Sequence, residues 1–352
     1  MPDINTSNIN RLVKLLSEAQ NIAIVTHMRP DGDAIGSSMA LHHFLTAQGK
    51  KSTVVLPHRD PASIDFLIDE ESRNSVAIHE DEAERAEAAL LDADLIFCLD
   101  FNAFHRTDKL EAPLAGSKAK KVLIDHHLNP ARECFDLVFS KTDVSSASEL
   151  LFHVLMALPG VDADAGKLPA KSGEALMTGM TTDTNNFGNS VYPSTLQMAS
   201  SLLGAGVDRD RIISLIYNRF NENRLRLMGH MMKDLLTITP DGVAYIVLDR
   251  RTQLEYNVSE GDTEGFVNMP LSIEKVKMSI LLKEDEGKVR VSVRSKKGTS
   301  ANRCAGKYFN GGGHENAAGG RLSIPGDLDS ISQAAEYIEK HTHTFMTEEN
   351  EN

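Results

Sequence analysis

Cysteine is nearly missing from this chain. Cys98, Cys134 and Cys304 are odd in number and far apart, which excludes a disulfide framework and a structural zinc site and makes a reducing cytoplasm the expected setting. No uninterrupted apolar run reaches spanning length, so no membrane is an expected partner. The opening residues Met1-Pro2-Asp3-Ile4-Asn5-Thr6 carry an acid where a secretory signal has a basic start, and no apolar core follows. Internal repeats are absent, and low complexity is confined to an acidic tail.

Positive charge is also short. Lys and Arg number 37 against 50 Asp and Glu, a net charge of −13, the wrong sign for holding long nucleic acid by its backbone. Long duplex is therefore not an expected partner. Much of the excess lies between Asp81 and Asp94 and in Glu348-Glu349-Asn350-Glu351-Asn352, which read as a solvated helix face and a disordered end. The balance suits a small anionic substrate gripped locally. A hydrophobic content of 41% and a charged content of 25% in 352 residues are those of a globular chain with two ordinary domains.

What the chain does have is a set of acids and imidazoles at the ends of apolar runs. Ile22-Ala23-Ile24-Val25 leads into Thr26-His27-Met28-Arg29-Pro30-Asp31-Gly32-Asp33, placing one imidazole and two carboxylates in a single turn. Leu95-Ile96-Phe97-Cys98-Leu99 ends in Asp100, and Val122-Leu123-Ile124 ends in Asp125-His126-His127. Continuous apolar runs of this length are what buried parallel strands show, and ligands of open parallel sheets bind beyond the carboxyl ends of the strands. Asp183 follows the apolar stretch Gly173 to Met180 and reads as part of a polar loop. Each acid alone has an ordinary reading as a turn former or helix cap. The four segments together, rich in oxygen and imidazole donors and free of cysteine, point to Mn²⁺ or Mg²⁺.

The rest of the chain supports an α/β reading. A helix opens the chain around Ile9, Leu12, Val13, Leu15 and Leu16, and another runs from Ala34 to Gln48. Further strands are expected at Ser52 to Leu56 and Leu137 to Phe139, and helices at Ser148 to Ala157, Glu174 to Met180, Thr195 to Leu203 and Arg209 to Arg219. Arg224 to Leu236 reads as a helical connector. Beyond it come strands at Val243 to Leu248, Val276 to Leu282 and Lys288 to Arg294, a helix near Asn302 to Phe309 and a last helix from Ser330 to Glu339. Arg294 offers a planar fork for phosphate. In Gly311-Gly312-Gly313-His314 the glycines free the backbone for close approach, and their N–H groups can form an anion-binding nest.

Asp125-His126-His127, with His27, Asp31, Asp33, Asp100 and Asp183, resembles the four-motif signature of the DHH phosphoesterase superfamily, which includes RecJ exonucleases, type II inorganic pyrophosphatases and nanoRNases. Val289 to Lys296 and Gly311 to Gly319 resemble the DHH-associated domain of the RecJ and nanoRNase branch. The fold implied is an N-terminal doubly wound, mainly parallel sheet with helices on both faces, a smaller mixed α/β C-terminal lobe, and an active site in the cleft between lobes. The expected domains are 1–207, the phosphoesterase domain, 208–236, a helical linker, 237–345, the substrate-binding domain, and 346–352, a disordered acidic tail.

The resemblance also implies roles. Two divalent cations, Mn²⁺ ahead of Mg²⁺, are held by His27, Asp31 and Asp100 and by Asp33, Asp100, His126 and Asp183, with Asp100 bridging. A water they activate attacks phosphorus. His127 contacts the phosphate and protonates the leaving oxygen, and Asp125 orients a neighbouring imidazole from behind. Arg106, Arg294, Ser295, Gly312, Gly313 and His314 bind substrate, which is short single-stranded RNA or a phosphorylated nucleotide such as 3′-phosphoadenosine 5′-phosphate. Inorganic pyrophosphate or polyphosphate and cyclic dinucleotides stand as alternatives, as does a nucleotide-binding regulator without catalysis. A homodimer enters only through the resemblance.

Overall fold

The computed structural model describes residues 4–59, 62–219, 221–259 and 261–351. The chain divides into two compact units, Met1–Arg219 and Phe220–Asn352. Among the described residues no helix is long and apolar enough to cross a membrane.

In the first unit, α1 (Thr6–Glu18) precedes β1 (Asn21–Val25), α2 (Gly32–Ala47) and β2 (Lys51–Leu56). There follow α3 (Glu70–Arg73), β3 (Val76–Ile78), α4 (Ala83–Leu91), β4 (Leu95–Leu99), α5 (Glu111–Gly116), β5 (Lys120–Asp125) and β6 (Leu137–Ser140). Four helices close the unit: α6 (Ala147–Met156), α7 (Ala170–Asp183), α8 (Pro193–Gly204) and α9 (Arg209–Tyr217). The strands form one sheet in the order β3-β2-β1-β4-β5-β6, every pair parallel. The doubly wound expectation is borne out, with β3 as a strand the sequence reading lacked.

The pattern of burial explains the strands. Alternate residues of β1 and β4 face two different cores: Ile22, Ile24, Leu95, Phe97 and Leu99 enter one, and Ala23, Val25, Ile96 and Cys98 the other. Apolar side chains are needed at every position because both faces are covered. Strand order reverses between β1 and β4, the switch point at which connections leave on opposite faces and open a crevice beyond the strand ends.

Helix α2 is buried on nearly all sides, as a helix within a core must be. Its contact with α7 runs through Gly36 and Gly179, where a Cβ on Gly36 would meet the Ala175 carbonyl oxygen at 2.7 Å and the Gly179 nitrogen at 2.8 Å. Only glycine admits that approach.

The second unit contains α10 (Glu222–His230), β7 (Thr237–Ile238), β8 (Val243–Leu248), α11 (Arg250–Glu255), β9 (Met278–Asp285) and β10 (Lys288–Ser295). It ends with α12 (Ala301–Tyr308), β11 (Gly312–Gly313), β12 (Ala317–Ser323) and α13 (Ala334–Glu351). Its sheet runs β11-β12-β10-β9-β8-β7, with β8 and β9 parallel and the other pairs antiparallel. Alternating burial along β10 puts Val289, Val291 and Val293 into a core with α12 and α13.

Two expectations need correction. The stretch 208–236, expected as a helical linker, is helical in α9 and α10 but divides between the units after Arg219: Ile212 and Ile216 of α9 belong to the first unit's core, while Leu227 and Met231 pack against Ile246 and Leu281 of the second. The tail expected to be disordered from 346 is helical through Glu351, with Phe345 and Met346 buried and Glu348 and Glu349 meeting Lys307 and Arg303 of α12. Apolar anchoring on one face and ion pairs on the other offset the acidic composition. Asn352 lies outside the described residues.

Candidate metal centre

The first-unit site lies at the switch point. His27 follows β1, Asp100 follows β4, and Asp125 ends β5 just before His126 and His127. Asp31 caps α2, its Oδ1 accepting from the backbone N–H groups of Asp33 and Ala34. The ordinary cap reading therefore holds for Asp31. Asp183 is the last residue of α7 rather than part of a loop, because the helix continues three residues past its apolar stretch.

Asp100 is central and almost wholly buried. Its Oδ2 stands 3.4 Å from His27 Nε2 and its Oδ1 3.5 Å from His126 Nε2, so the two oxygens face different imidazoles. Among the described residues Oδ1 has no hydrogen-bond partner. The backbone at Asp100 has φ +63°, a left-handed conformation that costs a non-glycine residue of order 1 kcal/mol and is kept where the fold over-determines it.

Around this carboxylate stand two further sets. His27 Nε2 is 3.8 Å from Asp31 Oδ1, and His126 Nε2 is 3.5 Å from Asp183 Oδ2. Among the described residues three groups have atoms close enough to hold an ion: His27, Asp31 and Asp100; Asp33, His126 and Asp183; and Asp100, His126 and His127. The donors are carboxylate oxygens and imidazole nitrogens, and the unpaired buried Asp100 oxygen is the orphan a cation would satisfy. The residues therefore fit a divalent ion of the Mn²⁺ or Mg²⁺ kind.

Electrostatics agree. Burial and the neighbouring Asp100 charge push the Asp33 carboxyl up to about 7, and burial and the Asp33 charge raise Asp183 well above the usual carboxylate range. For Asp100 burial acts upward too, but the His126 and His27 imidazoles outweigh it and hold the group far below that range. Burial disfavours protonated His126, yet Asp100 and Asp183 bring it up to about 10. A crowd of acids exceeding its imidazoles is a site that calls for positive charge.

Asp33 is held differently. Its Oδ2 accepts from Ala147 N–H at 2.6 Å and its Oδ1 from Ser148 N–H at 2.9 Å, the first donors of α6, which have no partner inside their own helix. The sequence reading did not assign these donors; the signal for them is Ser146-Ala147-Ser148-Glu149, a helix-start pattern. Asp125, fully buried, lies with Oδ1 2.7 Å from His127 Nδ1, which makes Nδ1 the protonated nitrogen and turns the ring. Arg106 is tied to the first motif by its carbonyl, which accepts from Met28 N–H at 2.7 Å.

In the second unit Arg294 and Ser295 end β10, and Gly312 and Gly313 form β11. Arg294 is partly buried, its Nη1 donating to the carbonyls of Val293 and Ala318, and among the described residues it has no acid partner. Burial lowers its pKa. Ser295 is buried, its hydroxyl donating to Thr299 O and accepting from Asn316 Nδ2. Three N–H groups of the glycine run that could face an anion are hydrogen-bonded within the chain. The N–H groups of Gly311 and Gly313 go to Ala305 O and Asn302 Oδ1 of α12 and that of His314 to Ala317 O of β12, and Gly312 and Gly313 pair with β12 as a short strand. His314 is exposed beyond it.

Residues 21–180 match the DHH family, N-terminal domain, and residues 241–340 match the DHHA1 domain. The bifunctional oligoribonuclease and PAP phosphatase NrnA of Bacillus subtilis (strain 168) is 26% identical over 324 residues, covering 91% of this chain and 95% of that protein. Its namesake from Thermus thermophilus is 30% identical over 308 residues, covering 86% of this chain and 84% of that protein. The crystal structure of an exopolyphosphatase-related protein from Bacteroides fragilis superposes with a TM-score of 0.92 at 34% identity, with 99% of each chain covered.

Proposed function

Because this chain belongs to the DHH family and carries a DHHA1 domain, we propose that it hydrolyses short oligoribonucleotides and removes the 3′-phosphate of 3′-phosphoadenosine 5′-phosphate. The observation that carries the chemistry is Asp100, whose two oxygens address separate imidazoles while one of them lacks a hydrogen bond among the described residues. Two divalent cations, Mn²⁺ ahead of Mg²⁺, would be held by His27, Asp31 and Asp100 and by Asp33, Asp100, His126 and Asp183, and when bound such ions acidify water and offset phosphoryl charge.

The chain's own groups account for the remaining work. His127, oriented by Asp125 through Nδ1, would present Nε2 to the phosphate and, as the imidazolium with both nitrogens protonated, can deliver the Nε2 proton to the leaving oxygen. Arg106 and, in the second unit, Arg294 and His314 are proposed substrate contacts. The net charge of −13 argues against long duplex, and the three free cysteines suit a cytoplasmic setting.

The substrate class follows the two curated relatives, each named for oligoribonuclease and PAP phosphatase activity. A second reading, attack on inorganic polyphosphate, is favoured by the exopolyphosphatase-related structure. Purified protein with Mn²⁺ would be offered 3′-phosphoadenosine 5′-phosphate, labelled di- to pentanucleotides, pyrophosphate, polyphosphate and cyclic dinucleotides. Turnover of the first two is the expected result. Phosphate release from inorganic substrates alone would transfer the function to the second reading, and silence on every phosphoester with tight nucleotide binding would make the protein a regulator.

A further inference from the structure

Behind the Asp33 carboxylate is a second buried acid that the chemistry above does not use. Glu149, in the first turn of α6, is completely buried. Its Oε2 accepts three hydrogen bonds: from Ser145 N–H at 2.9 Å, from Ser145 Oγ at 2.5 Å and from Thr195 Oγ1 at 2.6 Å. His153, one turn further on and also buried, stands with Nε2 3.6 Å from Glu149 Oε1. Burying an ionised carboxylate is costly unless it is paired and hydrogen-bonded, and the Glu of an ordinary capping box reaches back only to a backbone N–H, whereas Glu149 also accepts from Ser145 Oγ and from Thr195 Oγ1 of α8. Ser146 already caps α6, its Oγ accepting from Glu149 N–H at 3.0 Å.

The donors of α6 show what the extra acid does. Glu149 N–H goes to the Ser146 cap and Leu150 N–H to the Ser146 carbonyl. Ala147 and Ser148 N–H both go to Asp33. Where those two donors point depends on the strand-to-helix turn at Ser145 and Ser146, and Glu149 clamps that turn to α8 through Thr195.

We infer that Glu149 is a positioning residue for the metal centre, fixing the start of α6 so that Ala147 and Ser148 hold the Asp33 carboxylate toward one of the two ions. The inference rests on the proposed role of Asp33 as a ligand. It predicts a selective defect, because Asp33 belongs to one ligand set only. Partners behind a ligand commonly change metal affinity by about 10- to 100-fold.

The test is Mn²⁺ binding to the metal-free full-length protein, read from the EPR signal of free Mn²⁺, with folding checked by circular dichroism. Wild type is expected to bind two ions, and Asp33→Asn to lose one. Glu149→Ala is expected to weaken that same ion by about 10- to 100-fold while the other keeps its affinity. Thr195→Val should weaken it in the same sense by a smaller factor, and Glu149→Gln, which retains acceptor oxygen, should restore part of the loss. A folded Glu149→Ala protein with both affinities intact overturns the inference, as does equal weakening of both ions. Should Glu149→Ala fail to fold, unchanged binding by Thr195→Val overturns it. Failure of wild type to bind Mn²⁺ in a manner sensitive to Asp33 and Asp100 would instead refute the proposed metal centre itself.

Discussion

Gly36 of α2 and Gly179 of α7 meet backbone to backbone, and a Cβ on Gly36 would lie 2.8 Å from the Gly179 nitrogen. This contact sets the separation of the helix that starts at Asp31 and Asp33 from the helix that ends at Asp183. Packing and chemistry are therefore fixed by the same pair of residues.

Gly36→Ala should then cost both stability and metal binding. The atoms it meets belong to the backbone and cannot turn away, so an overpacking loss of about 1 to 3 kcal/mol is expected, together with weakened Mn²⁺ binding as α2 moves off α7. Gly229→Ala in α10, where nothing lies within 4 Å of the added carbon, should be neutral or stabilising by up to about 1 kcal/mol. Urea denaturation of both variants makes the comparison, and a neutral Gly36→Ala would refute the argument.

Asp100 separates function from stability. Asp100→Ala removes the acid that faces both His27 and His126, and turnover should fall by about a thousandfold or more, a barrier increase of about 4 kcal/mol. Asp100→Gly should be equally inactive. With φ +63° at this position, however, the glycine variant should be more stable than the alanine variant by about 1 kcal/mol. Equal denaturation midpoints for the two would show that the backbone conformation carries no strain.

Arg294 makes the contrasting case. A partly buried guanidinium with two carbonyl partners and no acid among the described residues gains little stability from its charge, so Arg294→Ala should leave the denaturation midpoint nearly unchanged. If it binds a substrate phosphate, KM should rise by about 10- to 100-fold, the worth of a charged hydrogen bond, with kcat within a few-fold. A fall in kcat at constant KM would place the residue in the chemical step instead.

How much of this was legible depended on whether burial left a mark on composition. The strands before His27, Asp100 and Asp125 are covered on both faces, so they read as uninterrupted apolar runs and their terminal acids stood out. β3 and β12 left no such mark: β3 has three residues, and β12 opens Ala317-Ala318-Gly319-Gly320, a composition that reads as a loop. The glycine run was ambiguous for the same reason, since close strand approach and anion binding ask for the same residue. Glu149 was invisible as a working group because a Ser followed three residues later by Glu is also how an ordinary helix begins.

Glu149 also sets a pH dependence that can be measured without substrate or metal. Burial would push its carboxyl up, but the His153 imidazole and the hydroxyls of Ser145, Ser194 and Thr195 outweigh burial and hold it down to about 2, against an ordinary value of 4.5. A carboxylate whose folded pKa is depressed stabilises the fold fully above its unfolded pKa and loses that contribution as pH falls toward the folded value. The window is therefore from 4.5 down to about 2, and a shift of this size corresponds to about 3 kcal/mol. Other carboxylates titrate in the same range, so the quantity to measure is the difference between wild type and Glu149→Gln in urea denaturation at several pH values. That difference should be flat from about pH 8 to about pH 5 and should shrink by up to about 3 kcal/mol on further acidification. A difference that stays constant through the acid range would mean that Glu149 is not ionised in the folded protein.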